Sequence, residues 1–121
     1  MITSWDYRHF REINVIDGDT IEATIDLGFN ITVKETFRLY GINCPEKRGV
    51  TKQAGLDAKA WTERAIQNLE HIETVKVTKS GRGKFGRYLA RIWCSTADNR
   101  LTYCLNDELI RQGLAKKFMV K

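Results

Sequence analysis

Three separated segments hold the side chains with the most chemical potential: Asp17-Gly18-Asp19-Thr20, then Arg38-Leu39-Tyr40-Gly41-Ile42-Asn43-Cys44-Pro45-Glu46, then Lys84-Phe85-Gly86-Arg87. Together they offer what cleavage of a phosphodiester needs: a positioned water, a group to take its proton, and cations for the charge that builds on a pentacovalent phosphorus. Glu46 is the candidate base. Arg38 and Arg87 are the candidate phosphate clamps, because a guanidinium holds two phosphate oxygens in a rigid fork. Asp19 and Asn43 offer oxygen ligands to a hard metal ion, which adds positive charge and lowers the pKa of water. Taken singly, each residue has an ordinary reading. Asp17 and Asp19 can simply build a turn, Arg38 and Glu46 can pair at a surface, and Arg87 can be one more charge beside a basic loop. Their joint occurrence carries the chemical reading.

The charge pattern points to the same class of substrate. The 121 residues include 20 Lys and Arg against 15 Asp and Glu, a formal net charge of +5. No acidic residue falls between Glu73 and Asp98, whereas Lys76, Lys79, Arg82, Lys84, Arg87 and Arg91 all do, so this one segment accounts for the whole excess. A local cationic stretch implies a polyanionic partner such as nucleic acid. Within it, Gly81-Arg82-Gly83-Lys84-Phe85-Gly86 matches the GxGxxG phosphate fingerprint. Its context does not, because Arg87 to Trp93 continues as a strand pattern where a dinucleotide site requires a helix.

The elements that must position these groups follow from periodicity. Tyr7 to Ile16 reads as a strand, Asp17-Gly18-Asp19 as a turn favoured by the positive φ that Asp-Gly accepts, and Ile21 to Asp26 as a half-buried strand by its alternation. Ile31 to Tyr40 is a third strand. After Pro45 the period becomes helical. Ala54, Ala58, Trp61, Ala65 and Leu69 share one face of a helix over Thr51 to Leu69, with Thr51 as its N-cap. His71 to Lys79 and Arg87 to Cys94 return to strand across the loop Ser80 to Gly86, and Leu101 to Leu105 adds another. Asn106 caps a short helix through Gln112 that Gly113 stops. This order predicts a mainly β protein with helices (α+β), a five-stranded OB-fold barrel with one long and one short helix, in a single domain over 1–121.

At 42% hydrophobic and 29% charged the chain has the composition of a globular domain able to bury its own core. No run reaches membrane-span length, and the first eleven residues lack the apolar region of a signal peptide, so no membrane partner and a cytoplasmic location are expected. A processed secreted chain would read the same way. Three cysteines exclude a full disulfide framework, no zinc spacing is present, and free thiols are the simplest expectation.

Several of these motifs occur together in a known order: Val15-Ile16-Asp17-Gly18-Asp19-Thr20, Phe37-Arg38-Leu39, Pro45-Glu46, Lys84-Phe85-Gly86-Arg87, Leu89-Ala90, and Leu109-Ile110-Arg111-Gln112-Gly113-Leu114-Ala115-Lys116. In this the sequence resembles the staphylococcal nuclease (thermonuclease-like) family over most of its length. The resemblance implies an OB-like barrel and a calcium-dependent nuclease that hydrolyses DNA and RNA, with water displacing the 5′-oxygen to leave a 3′-phosphate end. It also implies roles for individual residues. Asp19 is a carboxylate ligand of calcium, the backbone carbonyl of Cys44 is another ligand, Arg38 and Arg87 are the phosphate-binding arginines, and Glu46 is the general base. Lys79, Arg82, Lys84 and Phe85 would line the nucleic acid.

Two positions depart from the family pattern. Asn43 stands where the family has a second carboxylate ligand, which removes one negative charge and weakens calcium binding. Phe85 stands where Tyr is usual, keeping a face on which a base can stack. The expectation is a metal-dependent phosphodiesterase acting as a monomer on DNA or RNA. The competing reading is an OB-fold module that binds nucleic acid after losing catalysis at position 43.

Overall fold

A computed structural model of the chain describes residues 5–75 and 86–118. Strand β1 (Trp5–Tyr7) is followed by the meander β2 (Phe10–Asp17), β3 (Thr20–Gly28) and β4 (Ile31–Leu39), and then by the short β5 (Ile42–Asn43). Helix α1 (Lys52–Ala65) leads through a 3-10 turn into β6 (Leu69–Thr74). After it come β7 (Tyr88–Ser95), β8 (Thr102–Cys104), helix α2 (Leu105–Arg111) and β9 (Lys116–Lys117). The five long strands β2, β3, β4, β6 and β7 carry the sheet, which runs β1-β6-β7-β4-β3-β2 with β8 beside β7. It is the barrel-like OB-type α+β arrangement expected from the element order.

One pairing matters most for function. β4 and β7 run parallel, with Phe37 opposite Tyr88 and Arg38 opposite Leu89. Parallel neighbours need a long crossover, here supplied by β5, α1 and β6. That pairing brings the segment of Arg87 beside the segment of Arg38, although the two lie far apart in sequence.

The core is aliphatic: Ile21, Ile25, Leu39, Ile42, Ile72, Ile92, Leu105 and Leu109 are fully buried. Truncating any one of them to Ala would cost about 2–5 kcal/mol through lost transfer energy and a residual cavity. Among the described residues, no helix is long and apolar enough to cross a membrane.

Three local expectations are corrected. The first strand is broken into β1 and β2, and Glu12 within β2 has a positive φ of 52° where the register with β3 shifts. The Gly18-Asp19 turn joins β2 to β3 without positive φ at either residue. Gly18 is needed for space instead, since a Cβ there would lie 2.8 Å from the Ala58 Cβ and 3.0 Å from the Cys44 Sγ. Helix α1 ends at Ala65, and its buried residues are Gly55, Ala58, Thr62 and Ala65, with Ala54 exposed and Trp61 half-buried. The helix has turned its small face inward because two site loops pack directly on it.

Asn106 also takes a different part. It lies within the first turn of α2, where Cys104 occupies the N-cap position. Its buried amide donates to the carbonyls of Tyr40 (2.9 Å) and Ala90 (3.0 Å) and accepts from the Ile92 N–H at 3.1 Å. These bonds fasten α2 to the ends of β4 and to β7. Cys44, Cys94 and Cys104 are all buried free thiols, as expected; in the β7–β8 pairing Cys94 faces Tyr103 rather than Cys104.

Candidate functional site

Three loops converge at one end of the barrel around an open cleft of about 460 Å³. The β2–β3 turn brings Asp17, Asp19 and Thr20. The segment from the end of β4 to the start of α1 brings Arg38, Asn43, Cys44, Pro45, Glu46, Lys47 and Arg48, and the entry to β7 brings Arg87. Thus all six residues proposed from sequence for catalysis or metal binding, Arg38, Glu46, Arg87, Asp19, Asn43 and Cys44, line a single cleft. Lys79, Arg82, Lys84 and Phe85 lie outside the described residues.

Asp19 is the buried anchor, only 5% exposed. Its Oδ1 accepts from the Thr20 hydroxyl at 3.1 Å and its Oδ2 from the Cys44 N–H at 2.9 Å. Arg38 Nη1 stands 3.3 Å from the same Oδ2, so the buried charge is paired as well as hydrogen-bonded. The second arm of Arg38, Nη2, donates to the Ile42 carbonyl at 3.2 Å and to Asn43 Oδ1 at 3.0 Å. The guanidinium therefore bridges the two residues read as metal ligands. This explains in part how Asn is accommodated at position 43: its neutral carbonyl still satisfies the arginine.

The turn carrying Asp19 is held from two sides. The Leu39 N–H donates to the Asp19 carbonyl at 2.8 Å, and the Thr62 hydroxyl of α1 donates to the Gly18 carbonyl at 2.8 Å. The Glu46 loop is held from α1 as well. A Cβ at Gly55 would come within 2.6 Å of the Glu46 carbonyl carbon and oxygen, so only glycine lets the helix backbone approach this loop. Thr51 contributes here too. It sits at the N-cap without a side-chain cap bond, and its hydroxyl reaches the carbonyls of Glu46 (2.8 Å) and Arg48 (3.2 Å). Glu46 is thereby placed as an exposed carboxylate at the rim, while Arg87 is exposed beside the same cleft.

Lys47 and Arg48 are cleft residues that the sequence reading did not single out. Lys47 Nζ pairs with Asp17 at 3.1 Å and donates to the Ile16 carbonyl at 2.7 Å, closing one rim. Their adjacency to Glu46 in a short cationic run was the available signal. Gly55 and Thr62 had a weaker one, a glycine and a hydroxyl at three- and four-residue spacings from Ala58 on a helix.

Burial pushes the Cys44 thiol up to about 12, helped by repulsion from Asp19 and opposed by Arg38. Held up in this way, the thiol favours its neutral form at physiological pH. Among the described residues, no three His, Cys, Asp or Glu side chains are clustered closely enough to hold a metal ion by themselves. What they present is an all-oxygen set with one carboxylate, Asp19, and one amide carbonyl, Asn43. Such donors fit a hard cation that takes its remaining ligands from water and from phosphate.

The family model described as staphylococcal nuclease homologue matches residues 36–121. The chain belongs to the staphylococcal nuclease homologue family. It is similar to proteins named "Uncharacterized endonuclease" from Escherichia coli O157:H7 and from Escherichia coli, each 30% identical over 107 residues. That alignment covers 88% of this chain and 59% of each relative. It is also similar to "Uncharacterized protein MJ1439" of Methanocaldococcus jannaschii, at 24% identity over 96% of this chain and 68% of that protein. The chain thus spans about three-fifths of the length of the Escherichia coli relatives it matches.

Proposed function

We propose that this chain is a nuclease that hydrolyses phosphodiester bonds of DNA or RNA in the cleft between Arg38, Glu46 and Arg87, with calcium as its metal. The observation that carries the reading is the convergence of the Arg38 and Arg87 guanidinium groups and the exposed Glu46 carboxylate on a single open cleft, over a buried Asp19 that pairs with Arg38. Membership of the family and the name endonuclease carried by the Escherichia coli relatives support it.

In this reading Arg38 and Arg87 hold the scissile phosphate and stabilise the charge of the phosphorane, and Glu46 orients the water and accepts its proton. The new bond joins the water oxygen to phosphorus, and the bond to the 5′-oxygen breaks; that oxygen takes a proton from solvent, giving a 5′-hydroxyl and leaving a 3′-phosphate. Asp19, Asn43 and the Cys44 carbonyl would hold calcium, which when bound supplies further positive charge to the phosphate. The burial of Asp19 lets its other partners, the Thr20 hydroxyl and the Cys44 amide, keep it oriented before substrate arrives.

Removing one preorganised transition-state donor costs about 10²–10³ in rate. Arg87→Ala is therefore expected to slow cleavage of a labelled single-stranded DNA by that factor while the far-ultraviolet circular dichroism stays unchanged. A cleavage rate equal to that of the parent would remove Arg87 from the reaction and refute the assignment.

A further inference from the structure

Beside the cleft lies a second, smaller cavity of about 240 Å³, lined by Tyr40, Arg91, Asn106, Asp107, Lys117 and Phe118 among others. Two features connect it with the cleft. The Phe118 ring, which lines the cavity, carries the Arg38 guanidinium at 5.7 Å from its centroid, so one aromatic ring separates the cavity from the cleft arginine. Strand β9 also pairs with β5, setting Lys116 opposite Asn43 and Lys117 opposite Ile42, and the Phe118 N–H donates to the Gly41 carbonyl at 2.8 Å. The same short strand that bears Asn43 thus fixes the position of Phe118.

The lining has the chemistry of a nucleotide receptor. Phe118 is 44% exposed, and Tyr40 offers a second ring with Arg91 over it at 5.2 Å from the centroid. Arg91 and Lys117 are cationic, and Arg91 also pairs with Glu73 at 3.8 Å. Asp107 is the one carboxylate among the described lining residues and can accept from exocyclic amino groups. Its volume falls below the ~300–1,000 Å³ of pockets for drug-sized ligands and suits one flat group. Aromatic faces flanked by arginine are what single-strand binders use to stack unpaired bases.

We propose that this cavity is a nucleotide subsite that takes the base of a residue neighbouring the scissile phosphate, stacked on Phe118, with Arg91 and Lys117 facing the adjoining backbone. This rests on the nuclease reading and deepens it: the substrate is a single strand, because a base held in a duplex stack cannot enter the cavity.

The test is equilibrium binding of a fluorescent single-stranded oligonucleotide in chelator, with one abasic site stepped along the strand. The parent should lose roughly five- to 150-fold in affinity when the abasic site reaches one position and little elsewhere, the loss expected for one base–aromatic stack. Phe118→Ala, and Phe118→Leu as a variant that keeps apolar bulk at the end of β9, should bind the intact strand at that weaker level and lose the positional dependence. Phe118→Tyr should restore both. An abasic profile that is flat in the parent, or unchanged in the Ala and Leu variants, overturns the subsite. Calcium-triggered cleavage is followed on the same complexes. Its absence would overturn the nuclease reading while the binding profile still decides the subsite.

Discussion

Replacing Asn43 by Asp tests how this site manages its charge. Asn43 Oδ1 stands 3.0 Å from Arg38 Nη2, and Arg38 is already paired with Asp19 at 3.3 Å, so a new carboxylate at position 43 would act on both arginine and metal. Two unit charges 4 Å apart interact by about 1 kcal/mol in water-like surroundings, and the exposure of Asn43 sets that as the right regime. A divalent ion doubles the figure to about 2 kcal/mol, a factor of roughly 30 in affinity. Attraction of the new carboxylate to Arg38 offsets part of this, since a charge-assisted hydrogen bond is about twice as strong as a neutral one. Asn43→Asp should therefore bind calcium about 10- to 30-fold more tightly by isothermal titration calorimetry. Cleavage should rise by a similar factor at calcium concentrations below the parent's dissociation constant and change little at saturation. Equal affinities in the two proteins would refute Asn43 as a metal ligand.

Two further perturbations probe the supporting structure. Gly55→Ala should gain about 1 kcal/mol of helix propensity on a free helix, yet here the added Cβ would press on the Glu46 backbone, so a net loss of about 1–3 kcal/mol in chemical denaturation and a slower cleavage rate are expected. A stability equal to or above the parent's would show that the loop and helix are not in close contact. The buried thiols give a pH signature. Burial holds the Cys94 and Cys44 thiols up at about 12, above their unfolded values, so the neutral form is favoured in the native state. Stability from this source is complete below the unfolded thiol pKa near 8.5 and is lost as pH rises towards 12, by up to about 1.4 kcal/mol per pH unit for the fully buried Cys94. Denaturation midpoints should fall steadily above pH 9, and a Cys94→Ala variant should fall less steeply. Identical slopes would contradict the assignment to this thiol.

The cleft was legible in the sequence because its chemistry sits in short contiguous motifs at turns. Asp19, Arg38, Asn43, Glu46 and Arg87 could each be named from type and spacing, and alternation located the strands that hold them. What joins them was less legible. The parallel pairing of β4 with β7, which unites Arg38 and Arg87, is a long-range register that no local pattern encodes. Apolar periodicity finds most of the inward face of α1, since Ala58 and Ala65 are buried and Trp61 and, past the end of the helix, Leu69 pack against the core, but it includes the exposed Ala54 and passes over Gly55 and Thr62, whose smallness and hydroxyl let the site loops approach. Asn106 and Thr51 were assigned to capping because that is the commonest local use of their side chains. Thr51 does hold the N-cap position, but its hydroxyl binds the Glu46 carbonyl rather than a helix N–H, and Asn106 binds the carbonyls of Tyr40 and Ala90; these tertiary bonds hold the Glu46 loop to its helix and α2 to the sheet. Phe118 belongs to no motif, and its place beside Arg38 comes from the long-range pairing of β9 with β5.

Turnover of a labelled single-stranded DNA by the parent protein, in calcium and in excess chelator, tests most directly whether the cleft is a catalytic centre. A metal-dependent nuclease should cut the strand in calcium, leave 3′-phosphate ends that resist polymerase extension until dephosphorylated, and stop when the metal is removed. Tight, salt-sensitive binding with no cleavage under either condition would contradict it and would make the cleft a binding surface alone.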